Sequence, residues 1–259
     1  MRVLCVGDVC APAGCNQALK VIPAIKKEYG ADIIIINGEN SAEGNGITKE
    51  SADLLFSAGA DVITGGNHTL RRNEVYDMLE NNPYLLRPDN LKTDIGSGYC
   101  LLDTGKFRLA VINLCGQVYL ERENAENPFL RAEILVNRAK EDGADFIFVD
   151  FHAEATSEKR AMGFFLDGKV SAVFGTHTHV QTSDAQVLPL GTGYITDLGM
   201  TGVIDSVLGV EKQIIINRLK SGGSEKFVFA KGECMLNGCI FNIDEKTGLC
   251  LSAKGICRK

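Results

Sequence analysis

All four histidines of this 259-residue sequence follow short apolar runs, and carboxylate and amide residues stand at equivalent places. Imidazole nitrogens and carboxylate or amide oxygens suit iron, manganese or zinc, whereas thiolate-seeking metals would need cysteines nearby. One catalytic ion usually takes about three protein ligands, so this larger set favours two ions. A carboxylate such as Glu39 could bridge two ions about 3.5 to 4 Å apart, and a helix cap near Ser41 is its alternative role. The candidate ligands are Asp8, Glu39, Asn40, Asn67, His152, His177 and His179.

Two neighbouring cations are suited to hydrolysis of a phosphoryl group. They lower the pKa of a shared water, so that hydroxide exists near neutral pH, and they orient it toward phosphorus. They also screen the charge of the phosphoryl oxygens. The residue types therefore predict a hydrolase site.

The apolar runs predict the strands that position these residues. They are rich in Val and Ile and lack polar alternation, which is typical of strands buried on both faces. In an α/β sheet, ligands bind beyond the carboxyl ends of the strands, where the polar residues stand. Thr48 is a suitable cap for the second of the intervening helices. The predicted strands are residues 3–7, 32–38, 61–65, 109–114, 145–150 and 170–175, and the predicted helices are residues 16–29, 48–58, 71–80 and 129–142.

After about residue 184 the pattern changes to shorter strands, which predicts mixed or antiparallel sheet. The sequence contains neither an internal repeat nor a low-complexity linker, so we predict a single domain over residues 1–259. Within it, residues 83–128 could form a small cap. In the second half we expect strands at residues 184–196, 225–231, 234–243 and 248–257 and a helix at residues 206–219.

Composition limits the partners. A net charge of -6, from 27 basic and 33 acidic residues, argues against stable binding of polymeric nucleic acid. A small anionic substrate remains compatible, because bound metal ions reverse the local field. The sequence lacks an apolar stretch near the roughly 20 residues of a membrane span, and its opening MRVLCVGD is too short for a signal peptide. Nine cysteines without a CxxC pair predict reduced, mostly buried thiols, so we expect a cytoplasmic protein without membrane contact; homo-oligomer formation stays open.

The motifs at the strand ends resemble those of the calcineurin-like metallophosphoesterase superfamily. They are GDV (7–9), NGEN (37–40), GGNH (65–68), the lone His152 and GTHTH (175–179). Longer stretches are similar to the bacterial, cytosolic YmdB-type branch of 2',3'-cyclic-nucleotide phosphodiesterases. These are NGENSAEGNGIT (37–48), FHAEATSEK (151–159), GTHTHVQT (175–182) and ITDLGMTG (195–202), so the resemblance covers nearly the whole chain.

The resemblance implies a fold, a metal centre and a reaction. The fold is an α/β protein, a four-layer α-β-β-α sandwich of two mixed sheets flanked by helices. The metals are a di-iron centre, with manganese or zinc as alternatives, and the reaction is hydrolysis of 2',3'-cyclic nucleotides or related small phosphodiesters by a hydroxide that bridges the metals. His68 would be the general acid that protonates the departing ribose oxygen. One ion would be held by Asp8, Glu39, Asn40 and His179, and the other by Glu39, Asn67, His152 and His177.

Two positions depart from the branch pattern GDVxGxxGR. Ala11 stands in place of the second glycine, and Cys15 stands in place of the arginine. Loss of the arginine removes either a candidate anion contact or a structural residue, and both interpretations remain open.

Three further residues lie near the motifs. Two of them have alternative roles, and for the third the sequence predicts the direction of the side chain. Lys159 could contact phosphate or be solvated, and Asp197 could orient a ligand histidine or serve in a turn. Thr178 should point away from the side of its flanking histidines if the segment is extended.

Other metal-dependent hydrolases fit this pattern less well. The metallo-β-lactamase motif HxHxDH is not matched, because His179 is followed by Val180 and Gln181. Amidohydrolase barrels carry HxH after their first strand, whereas here it follows residue 170. A phosphomonoesterase or protein phosphatase on the same site, or a metal-binding regulatory protein with little turnover, remains an alternative.

Overall fold

The computed structural model describes residues 1–43 and 45–259. Within them, two mixed β-sheets pack face to face and α-helices cover their outer faces. The first sheet has the strand order β2-β11-β12-β1-β3-β4, and β13 pairs with β12. Its strands are β1 (Arg2–Val6), β2 (Asp8–Val9), β3 (Ile33–Asn37), β4 (Val62–Thr64), β11 (Met200–Val203), β12 (Cys234–Ile243) and β13 (Cys250–Arg258).

The second sheet has the order β5-β6-β7-β8-β10-β9. Its strands are β5 (Tyr99–Asp103), β6 (Arg108–Cys115), β7 (Phe146–His152), β8 (Ala172–Thr176), β9 (Gln186–Val187) and β10 (Gly193–Ile195). The helices are α1 (Ala11–Tyr29), α2 (Lys49–Ser57), α3 (Tyr76–Asn81), α4 (Pro128–Glu141), α5 (Thr156–Leu166) and α6 (Lys212–Ser221).

Strand β1 shows how the layers form, because its side chains alternate between two cores. Leu4 and Val6 pack against α1 and α2 in the outer core of the first sheet. Val3 and Cys5 point the other way and belong to the core between the sheets, together with Phe148 of β7. A third core lies between the second sheet and helices α4 and α5. Three cores require four layers, so the predicted α-β-β-α sandwich is confirmed.

The six strands predicted before residue 184 are confirmed to within two residues at each end. The predicted helices 48–58 and 129–142 are confirmed as α2 and α4, and the Thr48 hydroxyl accepts the backbone N–H of Ser51 as predicted for a cap. Helix α1 begins at Ala11 rather than at residue 16, because Pro12 is compatible with the first helical turn.

Other boundaries were wrong. The predicted helix 71–80 is reduced to α3, which follows two short 3₁₀ turns, and the predicted helix 206–219 is observed as α6, which starts six residues later. Residues 225–231 form no strand; one backbone bridge joins Val210 to Phe229 there. The predicted strand 184–196 is two short strands, β9 and β10.

Residues 83–128, the segment of the expected small cap, contain the antiparallel pair β5 and β6. Because β6 also pairs with β7, these two strands are the edge of the second sheet. The single-domain organisation stays a prediction. All nine cysteines are unpaired, and seven of them are buried. In the part of the chain that is described, no helix combines the length and apolar character of a membrane span.

Candidate metal centre

The strand ends of both sheets bring the predicted site residues together at one edge of the sandwich. Parallel strands β1, β3 and β4 supply residues from the first sheet, and parallel strands β7 and β8 supply residues from the second. We call this group the strand-end cluster. It consists of Asp8, Glu39, Asn40, Asn67, His68, His152, His177 and His179.

His152, which is fully buried, is the centre of one half of the cluster. Its Nε2 atom lies 3.0 Å from Asn67 Oδ1, 3.0 Å from His177 Nδ1 and 3.4 Å from Glu39 Oε2. Glu39, His152 and His177 can each offer one ligand atom, with all three atoms within 4.8 Å of one another. Three donor atoms this close together are a candidate site for one cation.

Asp8 and Asn40 form the other half with His179. Asp8 Oδ1 lies 3.7 Å from His179 Nε2, and it is a buried atom that has no hydrogen-bond partner among the described residues. An orphaned carboxylate oxygen is costly to bury, so it fits the role of a metal ligand. The Asn40 amide nitrogen donates to Glu39 Oε1 at 2.7 Å and lies 3.2 Å from His179 Nε2. Asn40 would bind an ion here through oxygen only after its amide group rotates.

His68 lies at the border between the cluster and the cavity in front of it. Its Nδ1 lies 3.0 Å from Asn40 Oδ1, an acceptor, and 3.3 Å from Glu39 Oε1. Its backbone N–H donates to Glu39 Oε2 at 2.9 Å. Because Nδ1 carries the hydrogen of this contact, Nε2 is the nitrogen that can serve a substrate. The side chain is 21% exposed, so solvent and substrate can reach it.

A hydrogen-bonded chain behind the cluster fixes the tautomer of His152. The Thr176 hydroxyl donates to Asp150 Oδ1 at 2.7 Å, and the same hydroxyl oxygen lies 2.9 Å from His152 Nδ1. Because the hydroxyl hydrogen is used on Asp150, Thr176 accepts the Nδ1–H of His152. The lone pair of His152 is therefore on Nε2, the atom that faces the other ligands.

The turn that carries the last two histidines is strained and firmly held. His177 has a φ of 102° and His179 a φ of 64°, values that L-residues adopt at a cost of about 1 to 3 kcal/mol each. Asp8 Oδ2 accepts the backbone N–H of His177 at 3.1 Å. Asp197 Oδ2 accepts both the backbone N–H of Thr178 at 3.1 Å and its hydroxyl at 2.7 Å. The segment is not extended, and Thr178 points at Asp197.

The two expected roles of Lys159 are both wrong. Its side chain is 1% exposed, and Nζ donates to Asp197 Oδ2 at 2.6 Å. The lysine is therefore neither solvated nor available to phosphate. Asp197 contacts Thr178, the residue between His177 and His179, rather than a histidine ring.

Burial and opposite charges perturb the pKa values in the cluster. Burial lowers the pKa of His152, but Glu39 outweighs it and the pKa rises to about 9. Burial raises the pKa of Glu39, yet His152 and His68 hold it well below its usual range. Burial and the neighbouring His152 lower the pKa of His177 to about 3, and burial raises the pKa of Asp8. Histidine binds a metal ion through a deprotonated nitrogen, so a bound cation would oppose the rise in the pKa of His152.

Gly66 permits the close approach of the two sheets at the site. A Cβ atom at this position would collide with Glu39 Oε2 and His152 Nε2, so only glycine fits here.

The two departures from the branch pattern have structural consequences. Ala11 has a φ of 59°, a left-handed conformation that the usual glycine adopts without strain. Cys15 is buried in α1, and its Sγ donates to the carbonyl oxygen of Ser41 at 3.5 Å. It is absent from the described residues that line the cavity in front of the cluster, which favours the structural interpretation of this position.

Sequence reasoning missed the residues that support the ligands. Asp150 accepts hydrogen bonds from Thr64, Thr176 and Asn37, which lie on three other strands. Glu154 was also missed; its Oε2 lies 3.0 Å from His177 Nε2. A polar residue inside an otherwise apolar strand, such as Asp150 in FVDF, is the signal that could have revealed this network.

Comparisons with known proteins show the family of this chain. The chain is 44% identical to the 2',3'-cyclic-nucleotide 2'-phosphodiesterase of Bacillus subtilis (strain 168) over 248 residues, covering 95% of this chain and 93% of the relative. A crystal structure of a hypothetical protein from Thermus thermophilus matches with a TM-score of 0.91 and 37% identity, covering 99% of this chain and 98% of that one. A structure described as a novel phosphatase from Mycoplasma pneumoniae matches with a TM-score of 0.93 and 34% identity, covering 99% of this chain and 92% of that one. The family described as YmdB-like protein matches residues 4–256, and the chain therefore belongs to this family.

Proposed function

We propose that this protein is a dinuclear-metal phosphodiesterase that hydrolyses 2',3'-cyclic nucleotides or related small phosphodiesters. The observation that carries the proposal is the convergence of Glu39, His152 and His177 beside the orphaned Asp8 Oδ1, at the floor of a cavity. The Bacillus subtilis relative, whose name states this activity, supports the substrate class.

The donor set fits two metal ions. Nitrogen and oxygen donors without thiolate suit iron, and manganese or zinc are the alternatives. Asp8, Glu39, Asn40 and His179 would hold one ion, and Glu39, Asn67, His152 and His177 would hold the other. When bound, the ions would lower the pKa of a water molecule and neutralise charge on the phosphoryl group.

The protein's own residues supply orientation and proton transfer. His68 would donate the proton on Nε2 to the ribose oxygen that leaves phosphorus as water adds to it. Glu39, whose Oε1 lies 3.3 Å from Nδ1, orients the ring. Thr176 and Asp150 keep the Nε2 lone pair of His152 directed into the cluster. The nine unpaired cysteines are consistent with a reducing compartment, and we place the protein in the cytoplasm of a bacterium.

The test uses purified protein loaded with iron or manganese. We expect hydrolysis of 2',3'-cyclic AMP, and we expect His68→Ala to keep its metals while turnover falls by about 10² to 10⁴-fold. Metal content by mass spectrometry separates loss of the acid from loss of the ions. The proposal is wrong if the loaded protein leaves cyclic nucleotides and bis-p-nitrophenyl phosphate intact and cleaves only monoesters.

A further inference from the structure

The cavity in front of the strand-end cluster has a second, apolar wall. The cavity has a volume of about 480 Å³ and is lined by Glu39, His68 and His177, among others of the cluster. The apolar wall comes from one segment, the β11–β12 connection, which we define as residues 204–233. Four of its side chains line the cavity: Leu208, Val210, Phe227 and Phe229.

Two parts of the connection contribute to the wall. Phe227 and Phe229 are two residues apart, so they project to the same side of a locally extended chain. Leu208 and Val210 lie on a tight turn, in which Leu208 has a φ of 53°, and both line the cavity. Val228 lies between the two phenylalanines, is 47% exposed and is not among the described residues that line the cavity. The connection therefore sorts alternate side chains toward the cavity.

Backbone hydrogen bonds join the two parts of the connection to each other. The N–H of Glu211 donates to the carbonyl oxygen of Val228 at 2.9 Å, and the N–H of Ala230 donates to that of Gly209 at 2.9 Å. Gly209 lies so close to Cys10 that an added Cβ would be 3.4 Å from the Cys10 Cβ. Cys10 Sγ in turn lies 3.6 Å from Nδ1 of the cluster residue His179.

Phe227 is placed to receive a flat partner. Its side chain is 58% exposed, although it belongs to the wall of the cavity. The guanidinium of Arg218 on helix α6 lies over the ring, 4.4 Å from its centroid. Because the cation covers one face and orients the ring, the opposite face is the one that can stack.

We propose that this wall binds the nucleobase of the substrate by stacking, with Phe227 and Phe229 as the residues that determine affinity for the base. This inference rests on the proposed function, because it places the phosphate of the same molecule at the strand-end cluster. A cavity of about 480 Å³ lies within the range of about 300 to 1,000 Å³ that small-molecule sites span.

The chemistry of the wall also predicts the base preference. Stacking on an aromatic ring accepts every base, because all bases have a π-face, and selection by hydrogen bonds needs polar groups. The four wall residues offer none. We therefore expect turnover of all four nucleoside 2',3'-cyclic phosphates, with purines favoured by their larger stacking area.

The test compares a substrate that has a base with one that lacks it. The metal-loaded enzyme is assayed with 2',3'-cyclic AMP and with glycerol 1,2-cyclic phosphate, which has the same five-membered phosphate ring. Phe227→Ala and Phe229→Ala should each raise KM for cyclic AMP about tenfold, the scale of one stacked base. Their kcat/KM for the glycerol ester should stay within about twofold of the wild-type value.

Matched variants control for folding and for loss of apolar area. Val228→Ala removes a side chain of the same segment that faces away, so it should leave both substrates unaffected. Phe229→Tyr should retain stacking, whereas Phe229→Leu, which is apolar but not aromatic, should behave like Phe229→Ala. Equal losses on both substrates, or an effect of Val228→Ala as large as that of Phe229→Ala, would overturn the assignment.

A binding measurement separates this inference from the proposed function. Calorimetry should show that adenosine 3'-monophosphate binds the wild-type protein more tightly than glycerol phosphate, and that Phe227→Ala removes the difference. Equal affinity of the two ligands would refute the base site while cyclic phosphate turnover stands. Base-dependent binding without hydrolysis of either cyclic ester would uphold the base site and refute the phosphodiesterase.

Discussion

The two walls of the cavity are built in opposite ways. The strand-end cluster lies at the edge where the two sheets meet, and its side chains are held by hydrogen bonds from residues on several strands. The apolar wall comes from one long connection outside the sheets, and two of its side chains, Leu208 and Phe227, are 46% and 58% exposed. Rigid elements thus hold the groups that would do chemistry, and a loop holds the surface that would select the substrate.

The comparison shows that side chains must be fixed by specific hydrogen-bond partners only where charged groups are close together. The cluster brings carboxylates and imidazoles within 3 to 4 Å of one another, and Asp8, Glu39 and His152 are fully buried, so each of these needs a fixed partner. The apolar wall would bind its ligand through shape and apolar area alone. Substitutions in the cluster should therefore abolish function, whereas those in the wall should change only preference.

The largest effect is expected at Glu39, which contacts both halves of the cluster. Glu39→Gln removes the charge that would attract both ions, and it places an amide where His68 N–H and the Asn40 amide donate. Loss of several kcal/mol of charge stabilisation predicts a fall in kcat of about 10³-fold or more, with lower metal content. Kinetics with 2',3'-cyclic AMP and metal analysis of the same samples measure both.

Glu154→Gln is the matched control for Glu39→Gln. Glu154 is half-exposed at the rim and contacts only one ligand, His177, through Nε2. A glutamine oxygen can still accept the Nε2–H of His177. We therefore expect full metal content and a fall in kcat of about tenfold or less. Equal losses in the two variants would break the distinction between the buried centre and the rim.

The next effect concerns stability and tests whether the ligand turn is held by the buried pair beneath it. Lys159→Met leaves the Asp197 carboxylate buried without its cation, which should lower the free energy of unfolding by about 3 kcal/mol. Urea denaturation of the metal-loaded protein measures the change. The double variant Lys159→Met, Asp197→Asn should recover much of the loss, because no charge is then left alone. Two additive single losses would contradict this account.

A smaller effect should follow when the support behind His152 is weakened. Asp150→Asn leaves one acceptor oxygen for the donors Thr64, Thr176 and Asn37, which weakens the bond that orients the Thr176 hydroxyl and, through it, the tautomer of His152. Outer hydrogen-bond partners of metal ligands are worth about 10 to 100-fold in metal affinity or activity. Thr64→Val removes another donor to Asp150 but leaves the path to His152 intact, so it should cost less. Titration with metal, followed by activity, measures the loss in each variant. A larger loss in Thr64→Val than in Asp150→Asn would refute the tautomer argument.

The sequence predicted the strand-end cluster better than the apolar wall. Strands buried on both faces appear as continuous apolar runs, and the residues after them must meet at one edge of a sheet, which located Glu39 and His152. The Asp150 network depended on the register between strands of different sheets, which no local pattern contains. Lys159 was misjudged because lysine is rarely buried, and only the position of Asp197 across the fold makes its burial possible.

The apolar wall was missed for a different reason. Residues 225–231 have the alternation of a strand, but they lack a neighbouring strand to extend, so only an isolated bridge forms among the described residues. Alternation along this segment puts Phe227 and Phe229 on one side of an extended chain, and both side chains line the cavity. It could not predict that this face would cover the strand-end cluster, because that depends on the path of the long connection between β11 and β12.

The smallest predicted effect lies where the two walls meet. Ala11 follows Cys10, which lies beside Gly209 of the connection and 3.6 Å from His179 of the cluster. Its φ of 59° costs an alanine about 1 kcal/mol that a glycine avoids, so Ala11→Gly should be stabilising by about 1 kcal/mol and raise Tm by about 2 to 4 °C. Ala13→Gly, two residues further in the same helix, should instead lose about 0.5 to 1 kcal/mol. Differential scanning calorimetry of both variants decides the sign. If both variants are less stable than the wild type, the backbone of Ala11 is not strained. In that case the hydrogen bond of 2.8 Å from the Ala11 N–H to the Asn40 carbonyl oxygen would require alanine at this position.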